Sequence, residues 1–315
     1  MKIWRLALIG AISTLLNCTM PKTIEKNMYG FTVQNWKARA LEIPMSLTHL
    51  GQRITLKEDS FAYDEQRKIA CVADGVTRDF LDGSVVTHDL KGIMKFLNGE
   101  YPSPSPAREA ADIFTKIFMQ TDSFRQANEE TWKYNKEHGF IPSNFLDKDL
   151  AGCTAATASE VNGNLYWRFI DDSGIAIIDE NGNLKFKTPD EGPHSPEKLP
   201  YLEKILNQYG GFDNPEGRRI IKSQYRNNPS EKYAYGVLTG EETALQYVKE
   251  GTQNINFGDY VLLYTDGVGD IIFKRNEKLN KEFINKLVRD DFRGLEKLCK
   301  REVSTEGTLV VYKVE

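Results

Sequence analysis

The chain predicts an α+β fold built on a largely antiparallel sheet system, and three observations carry that expectation. Compact apolar runs recur along the sequence and end at turn dipeptides. Two of these runs are joined by an Asn-Gly dipeptide of the hairpin type. Helical spacing is grouped in the middle of the chain and near its end, and does not alternate with strands as it does in a βαβ fold. With 315 residues, 40% hydrophobic and 27% charged, the chain is long enough to bury a substantial core as a soluble globular protein.

The elements follow in order. Lys68 to Ala73 (KIACVA) reads as a buried strand that stops at the turn Asp74-Gly75. After the Gly- and Pro-rich connection Gly99 to Pro106, the stretch Ala107 to His138 has helical spacing. Ala110, Ile113, Phe114, Ile117 and Phe118 can share one face there, which gives one or two helices packed on a sheet. Thr154 to Glu160 and Leu165 to Ile170 flank Asn162-Gly163 and predict a hairpin; a second turn follows at Glu180 to Asn183. From about 185 to 235 the chain turns polar and rich in Pro, Gly and Asn. That composition predicts a surface insertion or flap with a short helix at Pro200 to Tyr209. Strands are expected again at Tyr235 to Thr239 and Tyr260 to Tyr264, a helix from Asn280 to Arg289, and a closing strand at Thr308 to Val314. No repeat of the solenoid kind is present.

Charge and composition remove several classes of function. The net charge of −4 gives no basic field for a phosphate backbone, so nucleic acid is not the expected partner. The four cysteines are scattered with no CxxC pair, which argues against a zinc site and against a dense disulfide framework, and fits a cytoplasmic location. Lys2 and Arg5 precede the apolar run Leu6 to Leu16, which is too short to span a bilayer but has the length of a signal-peptide core. Residues 1–27 are therefore an alternative export or anchoring segment, with Cys18 in a faint lipoprotein-like context, and the folded domain is expected over 28–315 as a monomer. The four histidines lack metal-ligand spacing, no GxSxG supports a serine hydrolase, and Cys153 reads as a small buried residue.

The chemistry lies in the acids. Glu58-Asp59 precedes a strand, Asp74-Gly75 ends one, Asp172 follows another, and Asp266-Gly267 with Asp270 follows the run Val261 to Thr265. Convergent carboxylates without histidine are what the hard cations Mg²⁺ and Mn²⁺ require. Two such ions a few ångströms apart clamp a phosphate and acidify a shared water until it can attack.

Five short segments, EDS (Glu58 to Ser60), ADGV (Ala73 to Val76), GCTA (Gly152 to Ala155), DDSG (Asp171 to Gly174) and LLYTDGVGD (Leu262 to Asp270), resemble in order and approximate spacing the motifs of the metal-dependent type 2C serine/threonine phosphatases. The resemblance runs from about Gly51 to the C-terminus, and LLYTDGVGD is its most specific part. It implies a sandwich of two antiparallel sheets flanked by helices, two Mn²⁺ or Mg²⁺ ions with a weaker third, and phosphoserine or phosphothreonine in proteins as substrate. By the same resemblance Asp74 would bridge the metals, the Gly75 carbonyl and Glu58 would serve one, and Asp266 the other. Asp59 would hold metal-bound water; Asp172 and Asp270, with Asp266, match the third site; and Arg53 is similar to the phosphate-binding arginine.

Two departures limit the resemblance. Thr305 stands where the family has its last metal-binding Asp, with Glu306 one place later and longer. Val76 stands where many members have a histidine acid. The first departure leaves a catalytically impaired, phospho-binding or scaffolding homologue as an alternative; hydrolysis of a small phosphorylated metabolite is another.

Overall fold

Near-continuous apolar runs such as Lys68 to Ala73 arise when a strand is covered on both faces, because successive side chains point to opposite sides. The computed structural model, which describes residues 36–49, 52–78, 84, 90–140, 149–211, 214–273, 278–303 and 306–315, has that arrangement. Strands β1 (Trp36–Ile43), β2 (Met45–His49), β3 (Gln52–Leu56), β4 (Ser60–Asp64) and β5 (Ile69–Gly75) come first, then helices α1 (Leu90–Leu97), α2 (Pro106–Thr121) and α3 (Phe124–Glu137). Four strands follow: β6 (Cys153–Val161), β7 (Asn164–Ile170), β8 (Gly174–Ile178) and β9 (Leu184–Lys187). Helices α4 (Leu199–Gln208) and α5 (Pro215–Tyr225) lie in the polar insertion. The chain closes with β10 (Lys249–Asn254), β11 (Tyr260–Tyr264), α6 (Asp266–Ile272), α7 (Lys281–Val288), α8 (Phe292–Glu302) and β12 (Gly307–Val314).

Two antiparallel five-stranded sheets form, in the orders β1-β12-β11-β8-β9 and β10-β7-β6-β5-β4, with β2 and β3 as a separate hairpin. The alternation along each strand sorts its side chains into layers. Val261, Leu263, Ile175, Ile177 and Val310 from the first sheet meet Ala70, Val72, Ala156, Leu165 and Phe169 from the second. On the outer face of the first sheet Tyr260, Leu262 and Val311 pack against Ile272, Phe283, Leu287 and Leu298 of α6, α7 and α8. On the outer face of the second, Cys71, Ala73, Cys153 and Ala155 pack against Phe114, Phe118 and Phe124 of α2 and α3. The expected antiparallel sandwich flanked by helices is the observed fold.

Local chemistry accounts for the finer features. The helical stretch from Ala107 onward is two helices, because Asp122 adopts a left-handed conformation (φ 54°) and Ser123 Oγ caps the next helix by accepting from the Gln126 N–H. Asn162 and Gly163 both have positive φ, as a tight hairpin turn requires. One expectation fails. Tyr235 to Thr239 forms isolated bridges to Arg226 and Cys153 and no strand, because its backbone N–H groups are divided: Tyr235 donates to the Tyr225 carbonyl, Val237 to the Asn227 side chain and Leu238 to the Cys153 carbonyl. The expected segment 1–27 lies outside the described residues. Among the described residues no helix is long and apolar enough to cross a membrane.

Candidate metal centre

Antiparallel register gathers the site. Ser60 pairs with Ala73, Gly75 with Cys153, and Ala155 with Ile170, so the start of β4, the end of β5, the start of β6 and the end of β7 share one end of their sheet. In the other sheet Gly174 pairs with Tyr264, and Tyr264 with Leu309, which brings together the starts of β8 and β12 and the end of β11. The acids read from the sequence, with Glu306, sit at these strand ends.

Side-chain oxygens of Asp59, Asp74 and Glu306 all lie within 4.8 Å of one another. Asp59 is buried, and its Oδ1 has no hydrogen-bond partner while Oδ2 accepts from the Thr265 hydroxyl at 2.8 Å. Glu306 is placed by its own carboxylate: Oε2 accepts from the backbone N–H of Glu58 at 2.6 Å and of Asp59 at 3.4 Å. Position 305 itself lies outside the described residues.

Like charges crowd these groups. Burial raises Asp74 well above the ordinary aspartate range, and Asp59, Asp266, Asp172 and Glu306 add to the shift. Burial likewise pushes Asp59 to about 6 against the Thr265 hydrogen bond; Asp266 keeps exposed surface at the start of α6, yet desolvation of its carboxyl by the surrounding strand ends, with help from Asp59, raises it to about 6. Asp172 rises to about 7 through burial, Asp266 and Asp190, and Glu306 is raised strongly by burial and then by Asp59 and Glu58. A buried carboxylate oxygen with no donor, inside a set of mutually repelling hard oxygen ligands, is matched by a divalent cation. The residues present fit the metals that the resemblance implies.

The other expected residues divide. Glu58 is fully buried, and its carboxylate accepts from the hydroxyls of Tyr101 (2.8 Å), Ser105 (2.6 Å) and Thr77. Its side-chain oxygens are engaged in that cradle, while its backbone N–H holds Glu306. A methyl group on Gly75 would come within 2.6 Å of the Ala107 carbonyl and of the Glu58 carbonyl oxygen, so glycine lets the β5 end approach both segments. Asp172 accepts from Thr154 Oγ1 at 3.1 Å, and Thr154 in turn pairs across the sheet with Asp74. Asp270 is exposed one turn after Asp266 on α6. Arg53 lies in β3 opposite Thr48, and its side chain lies outside the described residues.

Sequence reasoning missed the hydroxyls. Thr265 stood inside a recognised motif and Thr77 directly after one, so both could have been suspected; Tyr101 and Ser105 stood in a connection with no chemical signature. Asp190, beside Asp172, also went unnoticed within the polar insertion.

No protein-family model and no curated protein matches the sequence. Among solved structures the chain is similar to the serine/threonine phosphatase PstP/Ppp of Mycobacterium tuberculosis, at 15% identity and a TM-score of 0.52, with 90% of this chain and 100% of that chain covered. It is also similar to a bacterial serine phosphatase at 15% identity and a TM-score of 0.51, covering 89% of this chain and 98% of that one. The chain therefore has the fold of these two bacterial phosphatases, the fold that its resemblance to the type 2C class implied.

Proposed function

We propose that this protein is a metal-dependent phosphomonoester hydrolase acting on phosphoserine or phosphothreonine in proteins. The observation that carries the reading is the Asp59, Asp74 and Glu306 cluster, with a bare buried oxygen, at the sandwich edge beside Asp266 and Asp172. Asp59, Asp74 and Glu306 would hold one Mn²⁺ or Mg²⁺ ion, and Asp74 with Asp266 and Asp172 would face a second, leaving Asp270 for a weaker third. When bound, these ions supply an acidified water for attack at phosphorus and positive charge for the phosphoryl oxygens. Asp74 then lies between the two groups of ligands and fixes their spacing. Arg53 would grip the phosphoryl oxygens through its guanidinium fork. Val76 carries no proton to give, so protonation of the leaving oxygen falls to water.

The domain reading is 28–315 as a monomeric cytoplasmic enzyme with a flap at about 185–235, the N-terminal segment serving as an anchor where it is exported. Thr305 had suggested an impaired homologue, but Glu306 supports an intact ligand set from the next position, so the catalytic reading is favoured. The test is Mn²⁺-dependent hydrolysis of p-nitrophenyl phosphate and of a phosphothreonine peptide, with EDTA, Asp74→Asn and Asp266→Asn as controls. Activity that is lost in all three controls is expected. A folded wild-type protein that binds Mn²⁺ but turns over neither substrate would overturn it.

A further inference from the structure

Thr265 begins α6 as its N-cap residue, yet its side chain makes no capping hydrogen bond to its own helix. A threonine at this position ordinarily accepts from the second or third amide of the helix, a contact worth about 1 kcal/mol. Here the hydroxyl is turned elsewhere. It accepts from the Thr308 N–H at 2.8 Å and donates to Asp59 Oδ2 at 2.8 Å, and Thr265, Thr308 and Asp59 are all buried. The backbone is tied as well, since the Thr265 N–H donates to the Thr308 carbonyl at 3.0 Å.

We infer that Thr265 is the positioning residue of the metal centre, its single hydroxyl setting the orientation of Asp59 and locking together the three segments that supply ligands. With the amide of Thr308 donating to the hydroxyl oxygen, the hydroxyl proton is directed at Asp59 Oδ2. That bond occupies Oδ2 and leaves Oδ1 buried without a partner, on a carboxylate that has an oxygen within 4.8 Å of those of Asp74 and Glu306. The next residue in the chain is Asp266, and Thr308 follows Glu306 by two residues, so one hydroxyl reaches the β4 entry, the α6 start and the β12 start together. Groups that orient metal ligands in this way are commonly worth ten- to hundredfold in metal affinity.

The inference rests on the metal-centre reading proposed above, and calorimetric Mn²⁺ binding separates the two. Thr265→Val keeps the shape and removes the hydroxyl, Thr265→Ala removes it with less volume, and Thr265→Ser retains it; circular dichroism establishes that each is folded. We expect Mn²⁺ affinity about tenfold weaker in the valine and alanine variants and restored in the serine variant. Wild-type affinity in a folded valine or alanine variant, or equal weakening in the serine variant, overturns the positioning role while leaving the metal centre intact. If both hydroxyl-free variants fail to fold and the serine variant folds, Thr265 is a structural residue and the inference is wrong. A wild-type protein that binds no Mn²⁺ overturns the metal centre itself, and the inference with it.

Discussion

Glu306 brings a carboxylate to Asp59 and Asp74 from the position after Thr305. Its Oε2 is held by two backbone N–H groups, so the carboxylate is ordered before any ion arrives. Glu306→Gln keeps that acceptor and removes the charge. The variant is expected to bind Mn²⁺ at least tenfold more weakly, while its metal-free form melts higher at neutral pH because the fold no longer has to protonate a buried carboxyl crowded by Asp59 and Glu58; calorimetry and a thermal melt read the two effects. Gly75 is constrained by space alone. Gly75→Ala drives a methyl into the α2 backbone and the Glu58 carbonyl, neither of which can rotate away, and should cost roughly 1–3 kcal/mol in a urea titration. These residues differ in how legible they were. Asp74 and Asp266 were visible because a strand that ends in Asp-Gly leaves a carboxylate at its edge. The Glu58 cradle was not, because Tyr101 and Ser105 reach it from a connection whose sequence spacing carries no sign of a contact more than 40 residues away.

The elements were legible where one periodicity served one purpose. β5 and β11 announced themselves because both faces are covered, and α2 because its buried face repeats at helical spacing. The polar insertion hid α5, whose stripe of buried residues is short and whose anchoring is ionic. Arg226, just after α5, and Lys222 on it close on Asp149 at 2.8 and 3.1 Å, with Asp149 and the Arg226 side chain buried. Burial alone would raise Asp149, but Arg226 and Lys222 outweigh it and hold the carboxyl down to about 2. Because the folded value lies below the ordinary one, the contribution is complete above about pH 4 and is lost as the pH falls toward 2, an effect of about 2 kcal/mol. Acid unfolding followed by circular dichroism should therefore steepen in that window. Asp149→Asn should remove the steepening and cost about 3–5 kcal/mol at neutral pH, since Arg226 would stay buried without its counter-charge.

Across the whole molecule the two sheets are held by apolar layers that do not titrate, whereas the edge that gathers the acids does. Asp59 and Asp266 stand near 6, Asp172 near 7, and Asp74 and Glu306 are raised further by burial and mutual repulsion. A carboxyl whose folded value exceeds its unfolded one binds more protons in the folded state, so its contribution is full below about pH 4 and is lost as the pH rises through the folded value. The metal-free protein should consequently lose stability from pH 5 to 8, opposite to the acid response of Asp149. A divalent cation reverses the sign, because it binds the ionised oxygens that otherwise repel one another, and protons compete with it for the same atoms. The increase in melting temperature on adding saturating Mn²⁺ should thus be several degrees larger at pH 8 than at pH 5.5, and Asp74→Asn should flatten the difference. Differential scanning fluorimetry at the two pH values, with and without EDTA, measures it directly; an increase that is equal at both would mean that these carboxylates are not the groups that hold the ion.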